Sequence, residues 1–132
     1  MAGADAVLLI IAALSNSETK TLLEAAKAYG LWALVEIHNQ NELDIALSHG
    51  AEIIGINNRD LKSFNVSLET TKHLALAIPK DCVRISESGI HRREEIEELS
   101  QYGIDAVLVG SHFMREESPG IALSRLTGVK RK

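Results

Sequence analysis

The sequence predicts an α/β fold of about five βα units with parallel strands. Three observations carry that expectation. Short apolar runs alternate with amphipathic stretches along the whole chain, the pattern of strand and helix in turn. The apolar runs are apolar on both faces, as parallel strands covered by helices must be. Each strand-plus-helix unit takes roughly 25 residues, so five units fill the 132 residues.

The elements follow in order. Val7-Leu8-Leu9-Ile10-Ile11 reads as a fully buried strand. A helix runs from about Ser15 to Tyr29, because Ser15 and Glu18 have capping-box spacing and Gly30 stops it. Leu31 to Ile37 is the second strand. Asn39 and Glu42 repeat the capping spacing and open a helix that ends near His49-Gly50. Ile53 to Asn57 is the third strand, and Ser67 to Ala77 is a helix with Pro79 just beyond it. Val83 to Ser86 is the fourth strand, followed by a strongly charged helix from His91 to Tyr102, closed by Gly103. Ala106 to Val109 is the fifth strand, and a last helix spans about Pro119 to Leu126. A faint repeat joins Gly3-Ala4-Asp5-Ala6-Val7, Gly50-Ala51-Glu52-Ile53-Ile54 and Gly103-Ile104-Asp105-Ala106-Val107: a glycine ends a helix, an acidic residue follows and a strand begins. There is no domain boundary and no low-complexity linker.

Two architectures fit. A doubly wound open sheet is the default for five units. Its dinucleotide-binding form is disfavoured, because Ala12-Ala13-Leu14-Ser15-Asn16 has no Gly-x-Gly-x-x-Gly. The alternative is a piece of a barrel, which as a whole needs about 250 residues.

Composition narrows the function. A net charge of −4 gives no reason to expect nucleic acid or an anionic membrane as partner. The basic groups are scattered apart from Arg92-Arg93 and the tail Lys130-Arg131-Lys132, which reads as solvated. The single cysteine, Cys82, permits no intrachain disulfide, fits a reducing cytoplasm, and reads as an inert buried thiol. The longest apolar run, Ala6 to Leu14, falls short of the roughly 20 residues a membrane helix needs.

The informative polar residues sit at the C-terminal ends of the strands, where open sheets and barrels both place their sites. Glu36 ends the second strand. Burial without a partner is expensive for a carboxylate and raises its pKa, which suits a general acid or base. A salt-bridged structural glutamate is the alternative. Asn57-Asn58-Arg59-Asp60 ends the third strand; Asn57 and Arg59, two apart on an extended segment, point the same way, and arginine grips carboxylate or phosphate with two prongs. Asn58 and Asp60 are also turn formers. Glu87-Ser88-Gly89 ends the fourth strand and Gly110-Ser111-His112 the fifth. Small Ser-Gly pairs on the last two strands are what a barrel uses to cradle a phosphate. His38, His49, His73, His91 and His112 lack metal-ligand spacing, so no metal site is expected. No Gly-x-Ser-x-Gly elbow is present, which argues against a serine hydrolase.

Taken together, Ala4-Asp5-Ala6-Val7-Leu8-Leu9-Ile10, Leu34-Val35-Glu36-Ile37-His38-Asn39, Ile54-Gly55-Ile56-Asn57-Asn58-Arg59-Asp60-Leu61, Ser86-Glu87-Ser88-Gly89-Ile90 and Val107-Leu108-Val109-Gly110-Ser111 resemble the indole-3-glycerol-phosphate synthase family in order and spacing. The resemblance implies one incomplete domain over 1–132, a partial (β/α)8 barrel running from the family's fourth strand to its eighth. It implies ring closure of 1-(2-carboxyphenylamino)-1-deoxyribulose 5-phosphate with loss of carbon dioxide and water, a carbon-carbon lyase step in tryptophan biosynthesis, without metal or organic cofactor. Glu36 would then be the acid/base glutamate, with Asn57 and Glu87 as further catalytic residues. Arg59 and Ser88 would bind substrate, and Ser88, Gly89, Gly110 and Ser111 would hold its phosphate.

The family's first three strands, with a general-acid lysine, have no counterpart here. None of Lys20, Lys27, Lys62, Lys72, Lys80, Lys130 and Lys132 lies at the end of an apolar strand. Such groups contribute about 10²–10⁴-fold each, so little turnover is expected of the chain alone. Two raw sheet edges invite pairing, and Leu8 and Ile10 would lose the opposite barrel wall. A homo-oligomer, or association with a separately supplied N-terminal half-barrel, is therefore expected. A fragment of another phosphosugar barrel, such as phosphoribosylanthranilate isomerase, is disfavoured by the Glu36, Asn57 and Arg59 set. A non-catalytic assembly module that keeps only the phosphate site is the remaining alternative.

Overall fold

The computed structural model describes residues 3–129, so Met1-Ala2 and the Lys130-Arg131-Lys132 tail lie outside the described residues. The elements are β1 (Ala6–Ile10), a 3-10 turn (Ile11–Ala13), α1 (Asn16–Ala28), β2 (Trp32–Ile37), α2 (Gln40–Ser48), β3 (Ile53–Asn57), α3 (Glu69–Ala75), β4 (Val83–Glu87), α4 (Arg93–Ser100), β5 (Ala106–Leu108), α5 (Ser111–Met114) and α6 (Pro119–Thr127). The strands form one parallel sheet in the order β1-β2-β3-β4-β5.

That order decides between the two architectures. A doubly wound sheet reverses direction partway and so breaks sequential order, whereas a barrel adds each strand beside the one before. Here every strand pairs with its successor, and the fold is a partial (β/α)8 barrel.

Local chemistry explains the boundaries. Ser15 and Glu18 form the expected capping box, each satisfying a main-chain N–H of the other. Asn39 caps α2 by accepting from the Glu42 N–H. The repeat has a structural meaning. Gly50 and Gly103 take left-handed φ values of 76° and 75°, which turn the chain out of a helix. The carbonyls of Asp5 and Glu52 then accept from the first N–H of the next strand, Trp32 and Val83.

Two helices are shorter than the sequence suggests. α3 begins at Glu69 rather than Ser67, because Ser67 and Leu68 form a turn closed by the Thr70 N–H. α4 spans Arg93–Ser100, and residues 101–103 are wound by i→i−3 bonds typical of a tightened helix end. α5 was not anticipated; its four residues follow directly on Gly110.

The core lies between the sheet and its helices. Val35, Ile37, Ile54 and Ile56 are fully buried there against Leu43, Ala46, Leu74, Ala75 and Ile78. A second cluster, Ile90, Leu99 and Leu126, closes the α4–α6 end. Each such aliphatic side chain contributes roughly 1.5–3 kcal/mol by leaving water. Cys82 is half-buried beside this core, donates from Sγ to the Ala51 carbonyl, and has its thiol pKa raised chiefly by burial. Among the described residues no helix is long and apolar enough to cross a membrane.

Candidate active site

Parallel register sets which side chains share a face. Glu36 pairs with Gly55, and Asn57 pairs with Glu87. Partners in a parallel ladder point the same way, and residues two apart on a strand do too. Glu36, Gly55, Asn57 and Glu87 therefore lie on the sheet face away from the helices, near the strand C-termini.

Glu36 and Glu87 are buried, at 6% and 5% exposure. Gly55 makes their approach possible, since a Cβ there would occupy the place of the Glu87 carboxyl. Burial, then the charge of Glu36, then a hydrogen bond with Glu36 push the Glu87 pKa up to about 7. A Glu87 carboxyl shifted this far is partly protonated near neutral pH and can donate to a neighbouring carboxylate. On its other side Glu36 meets His38, whose Nε2 lies 3.4 Å from Glu36 Oε1.

Asn58 is neither a surface turn residue nor a ligand group. It is 2% exposed, and its Nδ2 donates to Ser86 Oγ and to the carbonyls of Glu87 and Ser88 at 3.0–3.1 Å. Its Oδ1 accepts from the Thr71 N–H and hydroxyl. This knot ties the loop after β3 to the end of β4. Asp60 builds the turn itself, accepting from the Lys62 and Ser63 N–H groups, and those bonds hold its pKa below the usual carboxylate value.

Asn57 Oδ1 accepts from the Arg59 N–H at 2.9 Å. The Arg59 guanidinium has no hydrogen bond or ion pair among the described residues. Ser88 and Gly89 are both left-handed, with φ of 66° and 77°. A non-glycine residue in that region is uncommon and concentrates at functional sites. Gly89 has no room for a Cβ, which would strike the Val66 side chain. Gly110 precedes α5 and Ser111 is its first residue, while His112 stands edge-on to His91 with ring centroids 5.4 Å apart.

Every residue expected from the sequence thus sits at the C-terminal end of a strand. Glu36, Asn57 and Glu87 converge on one face; Ser88 and Gly89 follow directly. Gly110 and Ser111 stand one strand further on, at the exposed end of β5. Sequence reasoning missed His38, Glu42, Gly55 and the role of Asn58. The i, i+2 spacing of Glu36 on β2 and His38 just past its end was the available signal for His38. Among the described residues no group of three or more His, Cys, Asp or Glu side chains is placed to hold a metal ion. A cavity of about 490 Å³ lies at the opposite strand ends, around Leu31, Trp32, Gly50 and Glu52, and includes none of the site residues.

The chain is similar to known proteins in both sequence and fold. The family model for indole-3-glycerol phosphate synthase matches residues 1–126. The indole-3-glycerol phosphate synthase of Alkaliphilus metalliredigens is 49% identical over 124 residues, covering 94% of this chain and 48% of the relative. That of Caldanaerobacter subterraneus is 51% identical over 113 residues, covering 86% and 44%. The chain thus spans about half the length of the curated relatives it matches. Among solved structures, a thiamine phosphate pyrophosphorylase from Pyrococcus furiosus superposes with a TM-score of 0.73 at 20% identity, covering 94% of this chain and 58% of its own. A nicotinate-nucleotide pyrophosphorylase from Francisella tularensis gives 0.58 at 23% identity, covering 82% and 36%. At that identity these two speak for the fold alone. The family match over nearly the whole chain does more: this protein belongs to the indole-3-glycerol phosphate synthase family.

Proposed function

We propose that this chain supplies the Glu36–Glu87 half of an indole-3-glycerol-phosphate synthase active site. The reaction is ring closure of 1-(2-carboxyphenylamino)-1-deoxyribulose 5-phosphate, with loss of carbon dioxide and water. The observation that carries the proposal is the buried pair itself: two buried carboxyls, that of Glu87 with a raised pKa, at the mouth of a sheet that next offers Ser88 and Gly89. A group with a pKa near 7 can both give and take a proton at neutral pH. In this reading Glu36 moves the proton, Glu87 holds it in reserve, and Asn57 orients the substrate. The unengaged Arg59 meets the substrate's anionic groups, and Ser88, Gly89, Gly110 and Ser111 hold its phosphate. Bound to a sugar phosphate, the site needs no metal and no organic cofactor. A reducing cytoplasmic location suits the lone thiol of Cys82.

The substrate-facing side of the sheet is apolar and open. Leu8, Val83 and Leu108 are 51%, 42% and 48% exposed. A complementary half-barrel, such as the N-terminal part of a relative, would cover them and bring the general-acid lysine. That surface also favours a second reading, a non-catalytic phosphate-binding fragment that self-associates through the same face. The test is the fluorescence rise of the indole product, with the chain alone and then with the N-terminal part of a relative added. Turnover only in the mixture supports the first reading. No turnover in either, with a concentration-dependent oligomer in sedimentation, supports the second.

A further inference from the structure

Three buried side-chain atoms among the described residues have no hydrogen-bond partner: His38 Nε2, Glu87 Oε1 and Arg84 Nε. The first two belong to side chains that flank one carboxylate, that of Glu36. Buried polar atoms are seldom left unpaired, so an orphan on each side of Glu36 asks where the protons are.

The remaining contacts answer it. Glu42 Oε2 accepts from the His38 main-chain N–H at 2.7 Å and lies 3.0 Å from His38 Nδ1. Asn39 Nδ2 donates to the other Glu42 oxygen at 2.7 Å. Glu42 is thereby held as an acceptor, and Nδ1 must carry a proton to bond it. In a neutral imidazole Nε2 is then a lone pair facing Glu36 Oε1, one acceptor against another, unless a proton lies between them. Glu87 Oε1 has the same need. No lysine or arginine forms an ion pair with any of these carboxylates among the described residues. His38 is thus the one group in contact with them that can become cationic.

We propose that Glu42, His38, Glu36 and Glu87 form one hydrogen-bonded proton relay, in which His38 is a positioning residue that sets the protonation of Glu36. The relay joins the first turn of α2, the end of β2 and the end of β4. Charged groups face His38 from each: Glu42 from α2, Glu36 from its own strand and, through Glu36, Glu87 from β4. When Glu36 gives its proton to His38, the Glu36 O–H bond breaks and the Nε2–H bond forms. Glu42 then balances the imidazolium charge. Glu36 can so be reset from a side the substrate does not occupy. The relay deepens the proposed function, since it assumes that Glu36 is the acid/base carboxylate.

The test is long-range ¹H–¹⁵N correlation of the imidazole nitrogens in the full ¹⁵N-labelled chain near neutral pH. The relay predicts a protonated Nδ1 on His38, as the Nδ1–H tautomer or the imidazolium. In Glu42→Gln the side-chain amide can donate to Nδ1, so Nδ1 should move to the unprotonated range and the proton to Nε2. A His38 that merely fills space would show neither the Nδ1–H form nor its loss. An Nε2–H tautomer in the unsubstituted chain overturns the relay, and that spectrum decides even if Glu42→Gln fails to fold. The two readings fail separately. A silent enzyme mixture with Nδ1 protonated overturns the synthase reading and supports the relay bonds. An Nε2–H tautomer overturns the relay whatever the turnover.

Discussion

The two faces of this sheet are built from the same strands and behave oppositely. Toward the helices, Val35, Ile37, Ile54 and Ile56 are sealed completely. On the other face, apolar side chains of the two edge strands stay open: Leu8 of β1 is 51% exposed where its neighbour Leu9 is 8%, and Leu108 of β5 is 48%. A β-strand alternates faces, so an apolar run on both sides commits the sheet to two cores. The described residues form one of them. The second face carries the buried Glu36–Glu87 pair at its upper end and a surface suited to another barrel wall below. The difference teaches that the closed core and the candidate site are divided between faces here, which makes them separable by substitution.

Truncation on each face is the strongest way to break that comparison. Ile54→Ala should cost about 3 kcal/mol in chemical denaturation, because it opens a cavity in a closed core. Leu8→Ala should cost less than about 1 kcal/mol, since half of that side chain is already in water. Equal losses would mean that the open face is covered, as in a tight oligomer. Asn58→Ala should come next, at about 2–3 kcal/mol, since it strands Thr71, Ser86 and two carbonyls inside the protein. It should also loosen the Glu87-Ser88-Gly89 segment, which hydrogen exchange of those amides would register. Gly89→Ala should cost about 1–2 kcal/mol from its left-handed backbone, with added strain against Val66.

A pH effect sharpens the account of the open face. Glu87 has its pKa raised from 4.5 to about 7, so the folded chain binds a proton that the unfolded chain has lost in that window. Stability from this group is complete below about pH 4.5 and is lost as pH rises through about 7. Carried through linkage, the shift corresponds to at most roughly 3 kcal/mol, and Glu87→Gln should flatten it. A stability curve that rises across the same window in the parent and not in Glu87→Gln would contradict the raised pKa of Glu87.

Much of this was legible beforehand. The strand and helix order came from alternation of apolar runs, and two caps from the Ser15/Glu18 and Asn39/Glu42 spacings. Glu36 stood out because a carboxylate at the end of a buried strand needs a reason. What the sequence could not show was register. That Gly55 stands between Glu36 and the path of Glu87 depends on how β3 lines up with both neighbours. Asn58 looked like a turn former, as asparagine does in isolation; only packing against Thr71 and Ser86 makes it a knot. α5 is too short to have a period, so no pattern announced it.

The central claim is that Glu36 works in synthase chemistry once the barrel is complete. The most direct measurement is turnover of the mixture of this chain and a relative's N-terminal part, with Glu36 and with Glu36→Gln. The account predicts a loss of at least about 10²-fold in kcat for Glu36→Gln. Its amide nearly matches the glutamate in shape, so assembly of the mixture should be unchanged. Turnover preserved in Glu36→Gln would contradict it.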